Sequence, residues 1–198
     1  MQSLAAALGE PGFAAALLAL MRAHVDVDQI ALFALDESTG FEPIFNIGTL
    51  LKPEAAARLS RLYCRKYFQL DPLFDRIARY GNDEEANIEV HSSATLHSPD
   101  PLSRSLRFGA KCSLIFEKNG QTYYLSFYRR HGAPHFSGAE CNVVEKLSSS
   151  LRGLIYAHHR LTQEGRAWPR QAAMGGHDCR SAEQLLFSVR HLLARDET

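Results

Sequence analysis

The chain has 198 residues, of which 22 are acidic and 22 basic, so its formal net charge is zero. That balance argues against broad, sequence-independent nucleic-acid binding, which shows as a basic excess. Its 45% hydrophobic and 22% charged residues are ordinary for a globular protein, and no apolar run is long enough to span a bilayer.

Residues 3–8 form a short helical lead, and Glu10-Pro11 opens a better helix whose inner stripe is Phe13, Leu17, Leu20, Met21 and His24. The period then changes. Residues 29–35 (QIALFAL) are a short apolar run bounded by turn residues, as in a buried strand, and 41–47 return after the polar turn 36–40. Pro53-Glu54 starts a helix that carries Leu59, Leu62, Tyr63, Tyr67 and Leu70 on one face and stops at Asp71-Pro72. Two phenols and a carboxylate at the end of an apolar helix suit a greasy pocket that needs one or two oriented hydrogen bonds.

Leu73, Phe74 and Ile77 read as a short helix ended by Gly81, residues 82–86 as a loop and residues 87–92 as a strand. Asp100-Pro101 caps another short helix, which Gly109 stops. Residues 111–118 and 121–129 are strand-like and joined by Asn119-Gly120, the strongest short-range hairpin signal. Ser137 to Glu140 fits a capping box. It opens a long helix with Val143, Val144, Leu147, Leu151, Leu154, Ile155 and His158 on one face. Composition then loosens. The expected division is a domain over residues 1–162, a linker over 163–180 with a lone Trp168, and a C-terminal helix over 181–198 striped by Leu185, Leu186, Val189, Leu192 and Leu193.

Hairpin-joined strands with helices before, between and after them predict an α+β fold: an α-β-α sandwich around a central antiparallel five-stranded sheet, plus a C-terminal helical arm. This order resembles the GAF/PAS type. The run Tyr67-Phe68-Gln69-Leu70-Asp71-Pro72 resembles a Tyr-x-x-x-Asp-Pro motif in the N-terminal sensor domains of LuxR-type transcription regulators, in particular their quorum-sensing members. The later hairpin CSLIFEKNGQTYYLSFYRR, then PHFSGAE and a long helix, is similar to the end of such domains, notably those described as GAF-like. The likeness spans residues 10–162.

The resemblance implies a cytoplasmic, dimeric sensor that holds a small amphipathic ligand between the sheet and helix 54–70. By motif match, Asp71 would accept a hydrogen bond from the ligand and Tyr67 would pack along its chain, with Tyr63 beside them. The tryptophan and tyrosine that the family places thirteen and nine residues before that aspartate are Arg58 and Leu62 here, which points away from an acyl-homoserine lactone. In the family the last strand turns small and hydroxyl side chains to the ligand. Ser126 matches such a position, with Tyr124 beside it. Period-two alternation puts Tyr124, Ser126 and Tyr128 on one face, and Ala31, Phe33 and Leu35 share the pocket face on the first strand. LuxR-type regulators reach DNA through a C-terminal helix-turn-helix, a module that is not among these residues and toward which the final helix leads.

The rival reading is a ligand-free GAF-like module for dimerisation or protein interaction. Asp71 and Ser126 are costly to bury unless something bonds them. Protein partners on both would favour the rival, and a cavity beside them the sensor. An enzyme is not expected, since no GxSxG, Walker A, HExxH or paired CxxC motif is present. No cofactor and no metal are expected either. His131 and His135 flank Pro134, His158 and His159 diverge on a helix, and His177-Asp178-Cys179 sits in the loose arm. The start lacks a basic n-region and is broken by Pro11-Gly12, unlike a signal peptide. Four scattered cysteines suit free thiols in the cytoplasm, with Cys112 and Cys141 as small buried hydrophobes. Arg129-Arg130 and the basic side of helix 54–70 (Arg58, Arg61, Arg65, Lys66) are expected to be solvated.

Overall fold

The computed structural model describes residues 4–36, 40–71, 73, 87–91 and 108–167. A 3-10 turn (Ala5–Ala7) leads into α1 (Phe13–Arg22). Strands β1 (Gln29–Asp36) and β2 (Gly40–Gly48) follow, then α2 (Pro53–Leu62), which passes into a π-helical turn (Tyr63–Tyr67) and a 3-10 turn (Phe68–Leu70). Strands β3 (Asn87–His91), β4 (Phe108–Lys118) and β5 (Gln121–Arg130) precede α3 (Gly138–Ala167). The five strands form one antiparallel sheet in the order β2-β1-β5-β4-β3. This is the α+β sandwich expected from the sequence.

Strand alternation divides the core. Ile30, Leu32, Ala34, Cys112, Leu114, Phe116, Tyr123, Leu125 and Phe127 pack under α1 and α3. Ala31, Phe33, Ile115 and Tyr124 face the other way, with Cys64 and Leu73. Asn119 (φ 54°) and Gly120 (φ 76°) both have positive φ, as a two-residue I′ hairpin requires. Ser137 and Glu140 cap α3 reciprocally: the Ser137 N–H and hydroxyl donate to Glu140 Oε2 (2.9 and 2.8 Å), and the Glu140 N–H donates to Ser137 Oγ (3.3 Å).

Several expectations are corrected. The buried face of α2 is Ala56, Ser60 and Cys64, one position away from the predicted Leu59–Tyr63–Tyr67 stripe. Small residues sit inside because Ser60 approaches the sheet closely enough for its Oγ to accept from Asn46 Nδ2 (3.0 Å). The π turn widens the helix at Tyr63, so the 3.6-residue period ends there and Leu70 is left 54% exposed. In α1, Leu18 is buried and His24 is exposed, because the last turn opens after Arg22. Gly109 does not end a helix. It lies within β4 at a bulge where two residues oppose one on β5, and a Cβ there would come 2.4 Å from the Arg130 carbonyl oxygen. α3 runs to Ala167, into the stretch assigned to the linker. The readings at Phe74–Gly81, residues 82–86, Asp100-Pro101 and residues 168–198 lie outside the described residues.

Arg129, expected in solvent, is 2% exposed. Its guanidinium donates to the carbonyls of Asp26 (2.7 Å), Pro134 (3.0 Å) and His135 (2.9 Å), pairs with Glu140, and lies over the Phe136 ring. It ties the loop before α3 to the end of the sheet.

His158 joins the start of the chain to α3. Its ring stacks on Phe13 with centroids 4.0 Å apart, and its Nδ1 accepts the Gly9 N–H (3.1 Å). Burial, and secondarily His159, pushes its pKa down to about 4. A folded-state value below the ordinary 6.5 means that the stability tied to this neutral imidazole is fully present above pH 6.5 and is lost as pH falls toward 4. Across that window the chain should lose roughly 1–3 kcal/mol of stability, because each tenfold change in proton affinity is worth about 1.4 kcal/mol. In His158→Gln that acid-dependent loss should shrink, as read from urea midpoints on either side of the window.

Candidate functional site

The face under α2 is built row by row from the strand register. Phe33, Tyr124 and Ile115 are paired across β1, β5 and β4. The next row is Ala31, Ser126 and Ser113, and the next is Gln29, Tyr128 and Lys111. A row of small side chains therefore crosses the sheet between two rows of large ones. Ser126 Oγ lies 3.3 Å from Ser113 Oγ, and both residues are fully buried.

Asp71 reaches this face from the chain just after the 3-10 turn. Its Oδ2 accepts from the Tyr63 hydroxyl (2.7 Å), the Lys111 ammonium (3.2 Å) and the Tyr124 hydroxyl (3.4 Å). Its Oδ1 accepts the Leu73 N–H (2.9 Å). The side chains of Asp71 and Lys111 are only 8% and 5% exposed. Lys111 also lies 4.9 Å from the centre of the Tyr124 ring.

The electrostatics follow from this packing. Burial alone would raise the Asp71 carboxyl, but Lys111, the Leu73 N–H and Tyr63 together hold it below the ordinary carboxylate range. Burial alone would lower Lys111, but Asp71 and the nearby phenols hold it above its usual value. Burial raises Tyr63, Tyr124 and Tyr128, so all three remain neutral phenols. The site is an ion pair inside a ring of hydroxyls. It is rimmed by Phe33, which stacks on Phe41 at 5.4 Å and meets Tyr63 at 5.0 Å.

Of the residues singled out from sequence, Phe33, Tyr63, Asp71, Tyr124 and Ser126 come together on this face, and Leu35 packs at its edge. Tyr67 is half-buried at the end of the π turn and, among the described residues, does not pack into this cluster. Sequence reasoning missed Lys111 and Ser113. Their signal was a lysine and a serine two apart in an otherwise apolar strand run, in phase with Ile115.

No protein-family model matches the sequence, and no curated protein matches it. Among solved structures, the VqsR LBD domain from Pseudomonas aeruginosa aligns with a TM-score of 0.58 at 16% identity, covering 80% of this chain and 92% of that one. The chain has the fold of the VqsR LBD domain. Looser likenesses include the N-acylhomoserine lactone dependent LuxR family transcription factor CepR2 from Burkholderia cenocepacia (TM-score 0.45, 15% identity, 79% of this chain and 84% of that one). Another is the PixJ GAF-domain from Thermosynechococcus elongatus (TM-score 0.47, 15% identity, 78% and 89%). The α-β-α sandwich expected from the sequence therefore holds at the level of the fold.

Within this VqsR-like fold, the site can anchor a polar group but starts with its acceptors engaged. A carboxylate offers about four acceptor positions. Three donors crowd Oδ2 and one sits on Oδ1, so an incoming N–H must displace a phenol or take the second position on Oδ1. Among the described residues, no group of three His, Cys, Asp or Glu could hold a metal ion, and no helix is long and apolar enough to cross a membrane. Burial pushes the Cys64 and Cys112 thiols up to about 12.

Proposed function

We propose that this chain is the small-molecule-sensing domain of a LuxR-type transcription regulator, with its ligand anchored at Asp71 and Lys111 under α2. The observation that carries this reading is the convergence of a buried ion pair and three phenols beside a row of small side chains. A guest would lie over the small residues at the centre of this otherwise bulky sheet face, and the polar ring would orient it. The fold shared with the VqsR LBD domain is compatible with that role. The ligand is small and amphipathic, with an aromatic or aliphatic body that lies along Phe33 and Phe41. The domain works in the cytoplasm as a homodimer and reaches DNA through a helix-turn-helix module outside residues 1–198.

A second reading has its own observation. Asp71 and Ser126 are both bonded by protein groups, as a ligand-free dimerisation module would require. Native mass spectrometry of the protein purified from its own host separates the two. The sensor reading expects a stoichiometric small-molecule adduct, weakened at least about fivefold in the charge-free double variant Asp71→Asn/Lys111→Met, the cost of one lost hydrogen bond to a charged group. A clean mass for the dimer, with no thermal stabilisation by a panel of acyl and aromatic compounds, establishes the ligand-free module instead.

A further inference from the structure

A ligand anchored under α2 meets hydrogen bonds that are already partly spent. Four donors converge on Asp71: the Tyr63 and Tyr124 hydroxyls, the Lys111 ammonium and the Leu73 N–H. A carboxylate has about four acceptor positions. Burial keeps the two phenols protonated, and the ion pair keeps the lysine charged. These donors therefore hold their protons at neutral pH. A ligand N–H has to compete with all of them for one carboxylate.

Lys111 is the complementary case. Its ammonium carries three protons. One goes to Asp71 Oδ2 (3.2 Å) and one to the Tyr124 hydroxyl. Those are its hydrogen-bond partners among the described residues, so one proton is left to give. Tyr128 is its register partner on β5, and Tyr128, Ser126 and Ser113 are joined hydroxyl to hydroxyl. Two links among three hydroxyls use two of their three protons. The Lys111 end of the face thus has protons to offer, while the carboxylate at the other end is filled.

Charge narrows the choice further. Asp71 and Lys111 cancel, and both side chains are nearly dry. A ligand carboxylate would set a second anion near Asp71, and a ligand ammonium a second cation near Lys111. Either would leave one buried charge without a partner. A neutral carbonyl adds no charge, and its two lone pairs can accept from the ammonium and from a neighbouring hydroxyl.

We propose that Lys111, and not Asp71, holds the ligand, and that it holds a neutral carbonyl oxygen, as in a ketone or an ester. Asp71 is a positioning residue: it fixes the ammonium and takes no hydrogen bond from the guest. This assignment rests on the sensor reading and gives that reading its ligand class. The aspartate of the Tyr-x-x-x-Asp-Pro run then serves a lysine of its own chain.

The test is a protein-observed NMR titration of the full chain with three probes of similar shape. They are acetophenone, N-methylaniline, which carries an N–H in place of the carbonyl, and benzoate, which carries a charge. Acetophenone should shift the backbone amides of Lys111, Ser113 and Ser126 with a Kd of about 1 mM. The other two should bind at least about tenfold more weakly. Tyr63→Phe removes one donor from Asp71 Oδ2 and opens an acceptor position there. In that variant the gap between acetophenone and N-methylaniline should narrow at least about fivefold. N-methylaniline or benzoate binding at these residues as tightly as the ketone, or a gap indifferent to Tyr63→Phe, would overturn the carbonyl assignment and leave the sensor reading standing. No shift at these residues from any of the three probes would overturn the sensor reading, and the assignment with it.

Discussion

Lys111→Met is expected to destabilise the fold by about 3–5 kcal/mol, the cost of stranding a buried charge. Asp71 is 8% exposed and lies at the centre of the α2 face. With Lys111 gone, it keeps the Tyr63, Tyr124 and Leu73 donors but loses the one cation that pairs with it among the described residues. Burial then acts without the ion pair to oppose it, and the carboxyl shifts upward. In the parent chain the depressed Asp71 value gives stability that is present above the unfolded carboxylate pKa of about 4 and is lost as pH falls below it. In Lys111→Met the sign reverses: the variant becomes less stable as pH rises from about 4 toward neutrality. Asp71→Asn/Lys111→Met removes both charges and should recover most of the loss, since a neutral pair of similar volume is often no worse than a buried ion pair. Urea unfolding of the two single variants, the double variant and the parent measures the coupling. A double variant as unstable as the sum of the singles would mean that the two charges do not act as a pair.

Arg129→Met should cost about 3 kcal/mol or more. The guanidinium serves the carbonyls of Asp26, Pro134 and His135 and the carboxylate of Glu140, at 2% exposure. Methionine fills much of the volume but leaves those acceptors without their donor, each at a cost of about 1–3 kcal/mol where water cannot replace it. Arg130→Met, one residue along on the exposed side, should stay within about 0.5 kcal/mol of the parent. The Arg129 variant should also become open to proteolysis between residues 131 and 137, because that loop is fastened through its carbonyls. Burial alone would raise the Glu140 carboxyl, and Ser137 and Arg129 together hold it below its usual range. Part of that depression should vanish with Arg129.

Much of this was legible in the residues. Asn119-Gly120 announced its hairpin because few other dipeptides adopt positive φ twice in succession. Ser137 and Glu140 announced the start of α3, and the alternation in QTYYLSFYRR assigned Tyr124 and Ser126 to one face and Tyr123 and Phe127 to the other. These are local rules, satisfied by neighbours a few residues apart. The Tyr-x-x-x-Asp-Pro run placed Asp71 at the end of the helix that covers the sheet. The misreadings have separate causes. The stripe through Leu59, Tyr63 and Tyr67 assumed one helical period, and the π turn at Tyr63–Tyr67 broke it. Arg129 read as surface because a guanidinium is usually solvated, and only the loop carbonyls that fold back on it make its burial tolerable.

The sequence by itself determined the antiparallel α+β sandwich, the faces of its strands and the place of Asp71 on the chain, because pattern and turn chemistry are written in adjacent residues. Only the tertiary structure decided what Asp71 meets. Lys111 lies 40 residues away in sequence, and the β4 bulge at Gly109 sets the register that brings it opposite Tyr128 and within 3.2 Å of that carboxylate.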